Sequence, residues 1–180
     1  RVVNAGLIAV SGGNGANFNS ALFFNGAHLS CSGLSVGAMA SSNTIAISGL
    51  GTQARLNGGD IRIGHSQNWG WPSDNRLIIS DGAQVDQAGE IVIGQCRTYK
   101  DECDRRNSML LKSGAKLHSK GVTVSDAGSR EGVSTGNVLR VEGSGTFWNL
   151  TGGKLGVGYA GSGNSVGNTI IITDGAMVTN

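Results

Sequence analysis

Acidic residues that recur at one phase of a repeated sequence are the first place to look for chemistry, because stacked repeats bring equal phases together. Asp60 and Glu90 form the best such pair, each just before an apolar alternation (Ile61 and Ile63; Ile91 and Ile93), with Arg62 nearby. Two carboxylates beside a basic group would suit cleavage of a glycosidic bond. Lys154 stands at the same phase in another repeat, so the position accepts any polar residue and reads as solvated surface. Asp81 and Asp174 also share a phase, but Asn25 and Ser113 occupy it elsewhere, which marks a turn. His28, His65 and His118 fall at different phases, so no vertical metal or acid–base cluster is expected among them. No Gly-Lys-Ser/Thr phosphate loop, Gly-x-Ser-x-Gly elbow or calcium-binding nonapeptide occurs. The expectation is a chain that is not an enzyme, with no catalytic residue, metal or cofactor.

The cysteines point to structure. Cys96 and Cys103 lie seven apart in one charged segment, and Cys31 stands alone among small and apolar residues. A zinc site needs more ligands than Cys-x6-Cys supplies. A local Cys96–Cys103 disulfide is the expectation, provided the compartment is oxidising. Formal charge is +2 with no run of one sign, so neither nucleic acid nor an anionic membrane surface is an evident partner. No stretch approaches the roughly 20 apolar residues of a membrane helix, so no membrane insertion is expected. No signal peptide is evident at the start, and a processed mature chain is the expectation.

Elements that could position these residues emerge from an internal repeat. Of 180 residues, 31 are glycine and only 14% are charged, against roughly 25% in an average domain. Disorder is excluded because Val, Ile and Leu pairs interrupt the polar sequence at regular intervals. Asparagine opens a similar phrase at Asn19, Asn43, Asn75, Asn107, Asn137 and Asn168, in steps of 24, 32, 32, 30 and 31 residues. An apolar alternation follows, as in Ile45 and Ile47, Leu77 and Ile79, or Met109 and Leu111. That is the period of a strand with one buried face. A corner comes next, either Asp81-Gly82-Ala83 and its relatives or the longer Gly49-x-Gly51-Thr52 and Gly143-x-Gly145-Thr146. A second strand ending in glycine closes the unit, for example Gly59-Asp-Ile-Arg-Ile-Gly64.

Units of this length with two clear strands suit one coil of a single-stranded parallel β-helix. The expected fold is therefore one all-β solenoid domain over residues 1–180, of about six coils of 24–32 residues, with partial units at both ends. In-phase asparagines can hydrogen-bond along such a stack as a ladder. Alternatively, each begins a strand through an Asx turn.

With these phrases in view, Val141-Glu-Gly-Ser-Gly-Thr-Phe-Trp-Asn-Leu-Thr-Gly-Gly-Lys-Leu-Gly-Val-Gly158 resembles the passenger-type repeats of autotransporters and related bacterial surface proteins. The resemblance is architectural and covers most of the chain. It implies a right-handed β-helix, secretion, and an extracellular or cell-surface role. Nothing here resembles the outer-membrane barrel that exports such passengers.

Two surfaces remain. Segments His65–Asp74, Gln95–Arg106, Asp126–Gly136 and Tyr159–Gly167 leave the same corner, so they read as loops on one side. Trp69, Trp71 and Tyr99 there are candidates for binding glycan or protein, or for self-association. At the two ends, Val2, Val3, Asn4, Ile8 and Val10 face Ile170, Ile172, Met177 and Val178 as candidate stacking residues. Aligned on the unit at Asn75, Val2 and Val178 both take the phase of Val85. The expected function is a secreted structural protein stacking head to tail, with itself as partner, into an extracellular filament. The alternative is a monomeric surface adhesin that binds through the loop face.

Overall fold

The computed structural model describes residues 2–11, 13, 15–66, 70–97, 103–128, 132–161 and 163–180, with residues 2–5 described by their backbone alone. These residues form strands and turns without a helix, and every strand pairing is parallel. The chain is a β-solenoid.

The six-stranded ladder sheet runs through Ser20–Phe23, Thr44–Ser48, Arg76–Ser80, Ser108–Lys112, Val138–Glu142 and Thr169–Thr173. Its register is regular: Ile45, Leu77, Met109, Leu139 and Ile170 form one inward column, and Ile47, Ile79, Leu111, Val141 and Ile172 form the next. Ile47, Ile79, Leu111 and Val141 are fully buried. Each such side chain contributes about 1.5–3 kcal/mol relative to exposure. That gain exists only when a neighbouring rung covers it, so the stack is the stable entity. Four of the six rungs have neighbours on both sides, while the outer two pair on one side only. The coil count therefore differs slightly from six, with about four fully stacked turns.

An eleven-stranded sheet carries the rest of the core. After the corner comes a short strand that sequence reasoning leaves out, as in Gln53–Arg55, the start of Gln84–Cys96, and Phe147–Asn149. Register through this band joins Val2, Leu29, Ala54, Val85, Leu117, Trp148 and Val178 in one column. The chain then bends at Asn57, Gln87 and Thr151, whose φ values are 53°, 55° and 46°. A second band follows, in which Leu34, Ile61, Ile91, Val122 and Leu155 stack.

The segments read as loops need correction. Asp104–Arg105, Val133–Thr135 and Asn164–Val166 form a third, three-stranded parallel sheet, and Ser73 bridges to Arg105. Runs of two or three residues are too short to display an alternating pattern, yet their backbone groups still require partners.

Candidate functional site

The asparagines form a continuous ladder. Asn19, Asn43, Asn75, Asn107 and Asn137 each donate Nδ2–H to the Oδ1 of the next asparagine, ending at Asn168, over 3.0–3.2 Å. Each also donates its backbone N–H to the same oxygen. The second Nδ2 hydrogen of Asn107 goes to Pro72 O at 3.0 Å, and that of Asn75 to Ala40 O at 2.8 Å. Asn43, Asn75, Asn107 and Asn137 are fully buried, so the ladder satisfies groups that water does not reach. It also has a direction. Among the described residues Asn19 Oδ1 accepts no bond, while Asn168 Oδ1 is filled by Asn137.

The ladder explains why the closing strands end in glycine. At Gly37, Gly64 and Gly94, with φ of 68°, 62° and 74°, a Cβ would overlap the side chains of Asn75, Asn107 and Asn137. The two longer corners share another device. Thr52 Oγ1 donates to Ser48 O and accepts Gly26 N–H, and Thr146 Oγ1 does the same with Glu142 O and Gly114 N–H.

The remaining candidates scatter. Asp60 Oδ1 accepts the backbone N–H of Glu90, and its other oxygen meets Arg62 at 3.3 Å, both side chains being half-buried. Cys96 and Cys103 are joined as a disulfide with Cα atoms 5.5 Å apart, and Cys31 is a buried free thiol. Beside the disulfide lies buried Asp104, which sequence reasoning overlooks. Its Oδ1 accepts Ser134 Oγ and Asn137 Nδ2, both at 2.7 Å, while Oδ2 has no partner among the described residues. Burial, reinforced by repulsion from Asp126, outweighs these two bonds and pushes its carboxyl up to about 7. Trp71 is 59% exposed, while Trp69 and Tyr99 lie outside the described residues.

A groove forms on the outer side of the bend between the two bands. It has a volume of about 1280 Å³ and crosses five successive rungs, from His28 to Asn149. His118 Nδ1 pairs with Asp86 Oδ1 at 2.8 Å across one rung, and Arg55 Nε donates to Gln87 Oε1 at 2.8 Å. Lys120 completes the charged lining. The histidines do stand at different phases, His28 in register with Gln53 and His118 against Asp86; the pairing of a histidine with a carboxylate is one that sequence reasoning passes over. His28 and His118 share the groove, and His118 has an acidic neighbour. The signal was present, because Asp86 and His118 each follow a ladder asparagine by eleven residues. Comparing the histidines only with one another conceals it.

At the ends, side chains that the stack would bury are open. Ile172 is 45% exposed, although Ile47, Ile79, Leu111 and Val141 in its column are fully buried, and Val178, in the column of fully buried Trp148, is only partly buried. At the opposite end Ala21 and Phe23, in register with fully buried Ile45 and Ile47, are only partly buried. No protein-family profile, curated protein or solved structure matches the chain.

Proposed function

We propose that this chain is a secreted structural protein whose solenoid stacks end to end with further copies of itself, building an extracellular filament. The observation that carries this reading is the contrast within one column. Ile47, Ile79, Leu111 and Val141 are fully buried, yet Ile172, in the same register on the last rung, is 45% exposed. One more rung would bury it. The direction of the ladder is compatible with a further copy as its source, since the open acceptor of Asn19 suits the Asn168 end. A contact between two different ends does not close on itself and continues as a fibre. The Cys96–Cys103 disulfide supports an oxidising compartment, in keeping with the resemblance to secreted passenger repeats.

Sedimentation tests the proposal through Ile172→Lys combined with Val178→Lys, two inward positions of the last rung. These changes place two charges on the open end rung and alter no residue of the inner rungs, and unchanged urea midpoints would establish that the variant folds. The native chain should assemble progressively as concentration rises, and the double variant should remain monomeric. A native chain that stays monomeric as concentration rises would overturn the proposal.

A monomeric surface adhesin is the second reading. The 59% exposure of Trp71, beside the third sheet, favours it. Loss of binding to cell-surface glycans in Trp71→Ala would support that role.

A further inference from the structure

The axial groove has no part in end-to-end stacking, because it runs along the flank of the solenoid. Its construction is specific. Bends at Asn57, Gln87 and Thr151 hold it open, and its polar side chains project from rungs about 4.8 Å apart. A hexopyranose is about as long between its linking oxygens as one rung is high, so an extended glycan lying along the axis meets one rung per sugar. A peptide strand would instead seek an open sheet edge for its backbone. The groove lies on the face of a sheet, where those backbone groups are already paired.

Charge narrows the class. Arg55 and Lys120 lie on rungs two apart, and Asp86 lies on the rung between them. Arg55 and Lys120 are exposed, and Asp86 is held by His118. Along the axis the two cations are therefore two rungs apart, about 9.6 Å, with Asp86 on the rung between. Across the groove they are offset, because Arg55 is in register with Asp86 before the bend and Lys120 follows His118 and Ser119 past it. An anionic group on every sugar would place one against Asp86, where like charges repel. An anionic group on every second sugar meets Arg55 and Lys120 and leaves a neutral sugar opposite Asp86. Hydroxyl and amide groups of that neutral sugar can hydrogen-bond to Gln87 on the same rung.

We propose that this groove binds an extended acidic polysaccharide that runs along the solenoid axis and carries a carboxylate on every second sugar. Calorimetric titration of the 180-residue chain tests it with three hexasaccharides. One alternates glucuronate with N-acetylglucosamine, one is an α-1,4-linked hexagalacturonate, and one is neutral cellohexaose. The alternating hexasaccharide should bind at least about tenfold more tightly than the other two, and more weakly as salt rises. Arg55→Ala with Lys120→Ala should weaken it at least about tenfold, while Arg55→Lys with Lys120→Arg should retain most of the affinity. Both side chains are exposed, and unchanged urea midpoints would establish that the variants fold. Equal binding of hexagalacturonate would overturn the spacing argument, and equal binding of cellohexaose the charge argument. Absence of binding by all three would overturn the proposal as a whole.

Discussion

Gly64 and Asn107 share one space: a side chain on the glycine would occupy the volume taken by the ladder amide of a following rung. Gly64→Ala therefore meets two penalties, a left-handed backbone at φ 62° and displacement of a fully buried amide. Gly58 separates them, because its φ is 86° but no atom lies within 4 Å of the added carbon. Gly58→Ala should cost about 1–2 kcal/mol, the backbone penalty alone. Gly64→Ala should cost clearly more, at least about 3 kcal/mol. Urea midpoints of the two variants check this, and equal losses would show that the ladder tolerates the intrusion.

Removing an amide from the ladder strands its neighbours. Asn107→Ala leaves the two donors of Asn75 and the carbonyl of Pro72 without their partner, while the oxygen of Asn137 keeps only the backbone N–H of residue 107. Each buried group left unpaired costs about 1–3 kcal/mol, so the variant should lose at least about 3 kcal/mol by equilibrium unfolding. Asn19→Ala, at the open end, should lose much less. A loss within error at Asn107 would mean that the asparagines serve only as turn residues.

Asp104 predicts an unusual pH profile. Its carboxyl is raised to about 7 in the folded chain, against about 3.9 when unfolded. Between these values the folded state holds a proton that the unfolded state has lost. The contribution of this group to stability is therefore full below pH 4 and declines as pH climbs to 7. One pH unit of separation is worth about 1.4 kcal/mol, which sets an upper limit of about 4 kcal/mol. His65 acts in the opposite sense. Burial, then the charge of Arg62, lowers it to about 4, so its contribution is full above pH 6.5 and is lost as pH falls. The difference between native chain and Asp104→Asn isolates the carboxylate. The variant should be the more stable at pH 8 and nearly equal to the native chain at pH 4. A stability difference independent of pH would contradict the account.

Much of this architecture is legible in the residues. The in-phase asparagines and the Ile45/Ile47-type pairs repeat often enough to specify a stack, and the column through Val2, Val85 and Val178 follows from alignment. The short strands escape notice because two or three residues, such as Asp104–Arg105, carry no period. The groove escapes for a different reason. Its curvature comes from Asn57, Gln87 and Thr151 in a backbone conformation that non-glycine residues seldom adopt. Asp104 is hidden because a carboxylate in a charged sequence segment reads as surface, and only the fold shows it enclosed beside the disulfide.

The central claim is that copies stack along the solenoid axis, and helical reconstruction of the assembled protein by electron microscopy tests it most directly. Six ladder rungs at about 4.8 Å each predict a subunit rise near 29 Å. The strands should lie across the fibre, the solenoid axes along it, and the ladder should continue from Asn168 of one copy to Asn19 of the next. Solenoid axes lying across the fibre, or a monodisperse monomer at high concentration, would contradict it.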